Sequence, residues 1–67
     1  MNKRILTKRE KDILALKIKG LGDKEIAKVL SISYSTVRTH LDKARYKYNC
    51  PTTLMLILRA KSELRAS

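Results

Sequence analysis

The segment that most constrains the fold runs from Lys24 to Leu41 and reads KEIAKVLSISYSTVRTHL. It predicts two short amphipathic helices joined by a tight polar turn at Ser31-Ile32-Ser33, since apolar residues recur at helical spacing on both sides of that turn. Such a helix-turn-helix can place its second helix in the major groove of DNA. The chain also carries a formal net charge of +10, which attracts it to a phosphate backbone. We therefore expect DNA binding.

Length and composition limit the chain to one small helical domain. Its 67 residues allow a single core, so we expect one domain over residues 1–67. The hydrophobic residues, 43% of the chain, include no Phe or Trp and are mostly Leu, Ile, Val and Ala, which favours an all-α fold. An excess of 16 Lys and Arg over 6 Asp and Glu indicates a polyanionic partner. Nucleic acid is the first choice and an anionic membrane the second.

Targeting, redox and catalytic signals are weak or missing in the sequence. The residues from Met1 to Ile5 contain no apolar run of signal-peptide length, and no stretch reaches membrane-spanning length, so we expect a cytoplasmic, nucleoid-associated protein without a membrane contact. Cys50 is the single cysteine, which excludes an internal disulfide and favours a buried structural thiol. With one His, no Cys/His metal cluster forms, and we predict no metal and no cofactor. No catalytic constellation supports an enzyme.

Capping and stop signals divide the chain into four predicted helices. Thr7 and Glu10 fit a capping box at the start of the first helix, and Gly20 supplies a left-handed stop at its end. Ser33 and Thr52 are suited to cap the third and fourth helices. The predicted helices span about residues 8–19, 23–30, 34–48 and 53–62, with the helix-turn-helix proper at about 23–48.

The fourth predicted helix carries more apolar surface than its own domain can bury. Leu56, Ile57 and Ala60 form one stripe, which we assign to the core. A second stripe is left in water, and such a patch on a small protein most often marks a partner surface, so we predict a homodimer through this helix. The alternative is an over-hydrophobic helix lying in a shallow groove. The candidate interface residues are Leu54, Met55, Leu58 and Lys61.

A series of short blocks along the chain carries a family resemblance. The blocks are LTKRE at 6–10, IL at 13–14, Gly20, KEIA at 24–27, LSIS at 30–33 and TVRTH at 36–40. In this order they resemble the LuxR-type helix-turn-helix of bacterial transcription regulators. The match spans about residues 6–60 and is far more specific than any single block.

This resemblance implies a four-helix DNA-binding domain whose third helix enters the major groove and whose fourth helix pairs two subunits on an inverted repeat. Many members carry the domain behind a phosphoacceptor or autoinducer-binding domain. This chain has neither and resembles the stand-alone members, although a domain cut from a larger protein would look the same. Asn49 stands where Gly usually ends the third helix, and Gly22 where a Ser or Thr cap is common. These departures bear on packing details.

The outer side of the third predicted helix supplies the candidate DNA contacts. Arg38 can bond bidentately to guanine, and its position matches a base-contacting residue of the family; a phosphate clamp is its alternative role. Thr39 can touch a thymine methyl group or a base edge. Asp42 either accepts a hydrogen bond from a cytosine amino group or pairs with a nearby Lys or Arg. The candidate phosphate contacts are Lys24, Ser35, Thr36, Lys43 and Tyr46.

Two other functions stay open on the sequence alone. One is a domain like the promoter-reading carboxy-terminal region of bacterial sigma factors, which shares the Leu-x-x-Arg-Glu start and the Ala44-Arg45 pair. The apolar fourth helix and the spacing of Val37 and His40 argue against it. The other is a protein-interaction module that holds a larger regulator, because a fold does not fix a function. Activation of transcription would also need a surface for RNA polymerase, and no motif identifies one.

Overall fold

Four helices account for most of the chain. The computed structural model describes residues 5–66 and, within them, the side chains of residues 5–62. The helices are α1 (Lys8–Ile18), α2 (Asp23–Leu30), α3 (Tyr34–Tyr48) and α4 (Thr53–Ala66), and the described residues include no strand. The predicted all-α, four-helix class is confirmed. Residues 1–4 and 67, which the predicted domain includes, lie outside the described residues.

Two of the predicted helix boundaries differ from the structure. The bounds of α2 and α3 are as predicted, and α1 ends at Ile18 rather than at Lys19. The larger difference is in α4, which continues past residue 62 to Ala66. Its last residues are mostly good helix formers, and neither Gly nor Pro interrupts them.

The starts of α1, α3 and α4 are set by side-chain caps at the predicted positions, whereas Gly22 at the start of α2 has no side chain to cap it. The Glu10 amide donates to Thr7 Oγ1 at 3.1 Å while the Thr7 amide donates to Glu10 Oε1 at 2.9 Å, which completes the capping box of α1. Ser33 and Thr52 cap α3 and α4 by accepting bonds of 3.0 and 3.2 Å from amides three residues further on. Each cap satisfies an amide that a first helical turn leaves unpaired.

The first three helices end in the same left-handed turn. Gly20, Ser31 and Asn49 have φ angles of +100°, +56° and +55°. After each of them, the next amide donates to the carbonyl five residues back, as in a Schellman motif. These amides belong to Leu21, Ile32 and Cys50. The side chains of Leu21 and Ile32 pack against the core, and that of Cys50 is part of it. This turn after Ser31 makes the connection between α2 and α3 tight, as the sequence predicted.

The central helix is α3, which packs against α1, α2 and α4. Its inward stripe is buried and consists of Val37, Leu41, Ala44 and Tyr48. Cys50 joins the same core as a buried free thiol. Ile57, which we assigned to the core, is half-buried instead, because it lies between the buried and the exposed stripes of α4.

A buried ion pair joins α1 to α3. The Glu10 side chain is 1% exposed, and its Oε1 accepts a 2.7 Å bond from Lys47 Nζ as well as the bond from the Thr7 amide. Burial by itself would raise the pKa of the Glu10 carboxyl. The hydrogen bonds from Lys47 and Thr7 and the nearby charge of Lys47 outweigh burial, so the pKa lies below its ordinary value. The sequence predicted only the capping role of Glu10.

Candidate nucleic-acid interface

The two sides of α3 differ in polarity and exposure. The inward stripe is apolar and buried, while the outer side carries polar and charged side chains. Arg38 and Thr39 are neighbours on the outer side and both are exposed, with 54% of the Arg38 side chain accessible. This is the arrangement by which a recognition helix presents side chains to base edges.

Arg38 lies in a small polar network. Its Nη1 donates to the Tyr34 hydroxyl at 3.3 Å and is 3.9 Å from Asp23 Oδ2. Through Oδ1, Asp23 also accepts a 2.9 Å bond from Lys17 Nζ, so side chains of α1, α2 and α3 meet at this carboxylate. The hydrogen bond with Tyr34, more than the charge of Asp23, raises the pKa of the Arg38 guanidinium, which stays charged.

Asp42 is bonded within its own helix. Arg45 Nη2 donates to Asp42 Oδ1 at 2.6 Å, and Arg45 Nη1 donates to the Pro51 carbonyl at 2.9 Å. The sequence left two roles open for Asp42, and this ion pair corresponds to the second of them. The Asp42 side chain is still 58% exposed, so contact with a base stays a prediction. Arg45 also ties α3 to the turn that precedes α4.

Two of the candidate phosphate contacts lie at the start of α3. The Ser33 hydroxyl is 3.1 Å from the Ser35 hydroxyl and 2.7 Å from that of Thr36, which gathers three hydroxyls at the end of the helix where amides are exposed. Hydroxyls and amides at a helix N-terminus suit an anion. Lys24, the third candidate, is exposed in the first turn of α2.

The remaining phosphate candidates lie on the C-terminal half of α3. Lys43 and Tyr46 are both exposed, with Tyr46 at 75%. Together with Asp42 and Lys47 they line a shallow groove of about 420 Å³. The structure therefore brings Asp42, Lys43 and Tyr46 together on one surface.

The chemistry of the described residues gives no metal site. No three His, Cys, Asp or Glu side chains in that part of the chain converge to hold a metal ion. His40 is half-buried at the edge of the inward side of α3, and its Nδ1 is buried without a hydrogen-bond partner among the described residues.

The side of α4 that faces away from the core is apolar and exposed. Leu56 is buried, whereas Leu54, Met55 and Leu58 are 66%, 48% and 58% exposed. Lys61, the fourth interface candidate, is also exposed. Over the described residues, none of the helices combines the length and the apolar character that a membrane span needs.

Sequence reasoning missed three contacts at this interface. Tyr34 and Arg38 are four residues apart on a predicted helix, so their contact could have been found from the helix-neighbour rule. From the sequence, Asp23 is a favourable negative charge at the start of α2. Its contacts with Lys17 and Arg38 depend on how three helices pack, and no local pattern shows that.

The fold is that of a helix-turn-helix protein, a class in which an exposed helix such as α3 can enter the major groove of DNA. A profile of the family described as bacterial regulatory proteins, luxR family, matches residues 4–60. The chain therefore belongs to the LuxR family, and residues 4–60 correspond to the DNA-binding helix-turn-helix domain of that family. The predicted family is confirmed. No solved structure matches the chain.

Three curated relatives show how the chain compares with longer regulators. Transcriptional regulatory protein MctR of Rhizobium johnstonii is 44% identical over 52 residues, which are 78% of this chain and 24% of MctR. Oxygen regulatory protein NreC of Staphylococcus carnosus is 44% identical over 61 residues, 91% of this chain and 24% of NreC. Spore germination protein GerE of Bacillus subtilis is 44% identical over 46 residues, 69% of this chain and 62% of GerE. The chain thus matches about a quarter of the length of MctR and NreC.

Proposed function

We propose that this chain regulates transcription by binding double-stranded DNA in a sequence-specific manner, as a homodimer on an inverted repeat. In this proposal α3 lies in the major groove, and α4 pairs the two subunits. Arg38 and Thr39 read bases. Asp42 is a third candidate, and its ion pair with Arg45 competes with a base for the Asp42 carboxylate. The observation that carries the proposal is the exposed Arg38 and Thr39 on a helix whose opposite side is core.

Arg38 is the main base reader in this proposal. Its guanidinium has parallel N–H donors that fit O6 and N7 of guanine, a pairing that no other base pair offers in the major groove. Thr39, the next residue, has a methyl group and a hydroxyl that fit a thymine methyl group or a base edge. Side chains on one face of a recognition helix reach neighbouring base pairs, so the two residues would read adjacent positions.

Phosphate contacts orient α3 in this proposal. Ser35 and Thr36 lie at its N-terminal end, Lys43 and Tyr46 lie on its C-terminal half, and Lys24 lies in the first turn of α2. Such contacts position a protein on the duplex without reading sequence. Each lysine that neutralises a phosphate contributes about −0.9 to the slope of log affinity against log salt, whereas the uncharged hydroxyls leave that slope unchanged.

The exposed apolar stripe of α4 supports the homodimer. Leu54 and Leu58 are one helical turn apart, Met55 lies beside them, and Lys61 follows about one turn later. A two-fold axis places the same stripe of both subunits face to face, which removes it from water. Two recognition helices related by that axis then read an inverted repeat, and the α4 pairing sets the half-site spacing.

Selection of bound sites from random double-stranded DNA tests base reading. We expect an enriched site with two inverted half-sites. Arg38→Ala should reduce discrimination at one base pair of each half-site by about 1–3 kcal/mol. Lys11→Ala, which removes the same charge from an exposed position on α1, should keep the preference. An equal loss on selected and random DNA would assign Arg38 to the backbone, and no enriched site at all would overturn the proposal.

Sedimentation of Leu58→Asp tests the dimer. A charge placed at the centre of the exposed stripe should convert the dimer to a monomer, because the pairing would bury that charge on both subunits. Val29→Asp is the matched control, since Val29 is 60% exposed on α2, outside the stripe, and should leave the dimer intact. Monomeric behaviour of both the unaltered chain and Leu58→Asp would contradict pairing through α4.

A further inference from the structure

The guanidinium of Arg38 is held on one side only. Its Nη1 donates to the Tyr34 hydroxyl at 3.3 Å and lies 3.9 Å from Asp23 Oδ2. Its Nε and Nη2 bond to none of the side chains that the structure describes. These two nitrogens form one edge of the planar guanidinium, so a fork of two N–H donors stays available to a partner.

Tyr34 is placed for this contact by helix geometry. It is the first residue of α3 and lies four positions before Arg38, so the two side chains are neighbours on one face of the helix. The guanidinium carbon of Arg38 is 6.0 Å from the centre of the Tyr34 ring, at the limit of a cation–π contact. The ring and the hydroxyl of Tyr34 therefore both act on Arg38.

Asp23 attracts the same nitrogen, at 3.9 Å from its Oδ2. Its side chain is 20% exposed, and the 2.9 Å bond from Lys17 Nζ fixes it at the junction of α1, α2 and α3. Because Lys17 anchors the carboxylate, Asp23 attracts Arg38 toward one defined position instead of following its motion. Tyr34 and Asp23 thus restrict Nη1 and leave the opposite edge open.

We propose that Tyr34 is a positioning residue for base reading: with Asp23 it anchors Nη1 of Arg38 so that the edge formed by Nε and Nη2 faces a guanine. The inference rests on the proposed function, in which Arg38 reads a base. A long arginine side chain loses rotamer freedom on binding, and one that is already held in its bound arrangement loses less. Tyr34 therefore strengthens binding to the selected site more than to other DNA, where Arg38 has no guanine partner.

The test measures affinity for the selected duplex and for a scrambled duplex of equal length. Tyr34→Phe keeps the ring and removes the hydroxyl, so it should lower the ratio of the two affinities about fivefold, the usual effect of one hydrogen bond. Tyr46→Phe makes the same chemical change further along α3. As a proposed phosphate contact, Tyr46 should affect both affinities alike and leave their ratio unchanged.

The same measurement in an Arg38→Ala background shows whether Tyr34 acts through Arg38. We expect Tyr34→Phe to lower the ratio no further there. An equal loss in both backgrounds would mean that Tyr34 contacts DNA itself, and an unchanged ratio for the single variant would mean that it does not position Arg38. Either result overturns this inference alone. If the unaltered chain shows no preference, or Arg38→Ala does not change it, the proposed base reading fails as well.

A measurement without DNA provides a second readout. The order parameter of the Arg38 Nε–H bond, measured by NMR relaxation, should fall in Tyr34→Phe because one anchor is lost. It should not change in Tyr46→Phe, and the backbone order parameters of α3 should stay the same in both variants. An Arg38 side chain equally ordered with and without the Tyr34 hydroxyl would overturn the inference.

Discussion

The two halves of α3 use their basic residues differently. In the N-terminal half, the Arg38 side chain is 54% exposed, and its oxygen partners lie at 3.3 and 3.9 Å. In the C-terminal half, Arg45 and Lys47 are 31% and 22% exposed and make bonds of 2.6 to 2.9 Å within the chain. The first half keeps its charge available to a partner, whereas these two residues of the second half hold the fold together. A count of basic residues therefore overstates the surface that can contact DNA.

Among the substitutions that test this contrast, we expect replacement of Lys47 to have the largest effect on stability. In Lys47→Met the Glu10 carboxyl loses the cation that its burial requires, and removing one partner of a buried ion pair costs about 3–5 kcal/mol. A domain of this size has about that much stability in total, so we expect a largely unfolded variant. Urea unfolding followed by circular dichroism measures the free energy of unfolding.

Lys43→Met is the matched control on the same helix. Lys43 is exposed and makes no ion pair with a described residue, so its replacement should change the free energy of unfolding by less than about 0.5 kcal/mol. Equal stability of Lys47→Met and Lys43→Met would show that the ion pair of Lys47 with Glu10 does not stabilise the fold, which would remove the contrast between the two halves of α3.

The pH dependence of stability tests the ion pair of Glu10 with Lys47 without a substitution. The pKa of Glu10 is lower in the folded chain than its ordinary value near 4.5, so below about pH 4.5 the unfolded chain binds more protons than the folded one. The contribution of the pair is therefore complete at neutral pH and is lost as the pH falls through the folded pKa. We expect the free energy of unfolding to decrease on acidification in this range.

Glu10→Gln isolates that contribution. The amide can still bond to Thr7 and Lys47 but does not titrate, so the variant should be less stable at neutral pH and lose less stability on acidification. Urea unfolding at a series of pH values compares the two proteins. Parallel pH profiles would show that the carboxyl of Glu10 does not carry the acid sensitivity.

The helix boundaries were predictable because their signals are local. Thr7 and Ser33 act within three residues of their own positions, and Gly20 acts within the turn that it closes. The inward stripe of α3 follows from the helical period in the same way. The end of α4 was predicted too early because no cap or breaker follows residue 62, and a composition that favours helix does not specify where it stops.

The candidate site was predictable only as far as a single helix. The exposure of Arg38 and Thr39 follows from the face of α3 on which they lie. The contact of Asp23 with Arg38 joins two helices, and the pair of Glu10 and Lys47 joins residues 37 positions apart. Such contacts depend on how the helices pack, and one sequence does not contain that information in any short pattern.

Replacing Asp42 should have the smallest effect and refines the boundary between the two halves. Asp42→Asn removes a largely exposed charge whose pair with Arg45 is of the kind that contributes at most about 1 kcal/mol, and Arg45 keeps its bond to Pro51. Loss of one negative charge beside the phosphates should raise affinity about twofold to threefold for any duplex. Asp12→Asn is the control, because Asp12 is also three residues from its arginine partner, Arg9, but lies on α1 and should change affinity less. If Asp42→Asn instead alters the preferred base at one position of the selected site, Asp42 belongs with Arg38 and Thr39 as a base reader, and the available half of α3 extends one turn further.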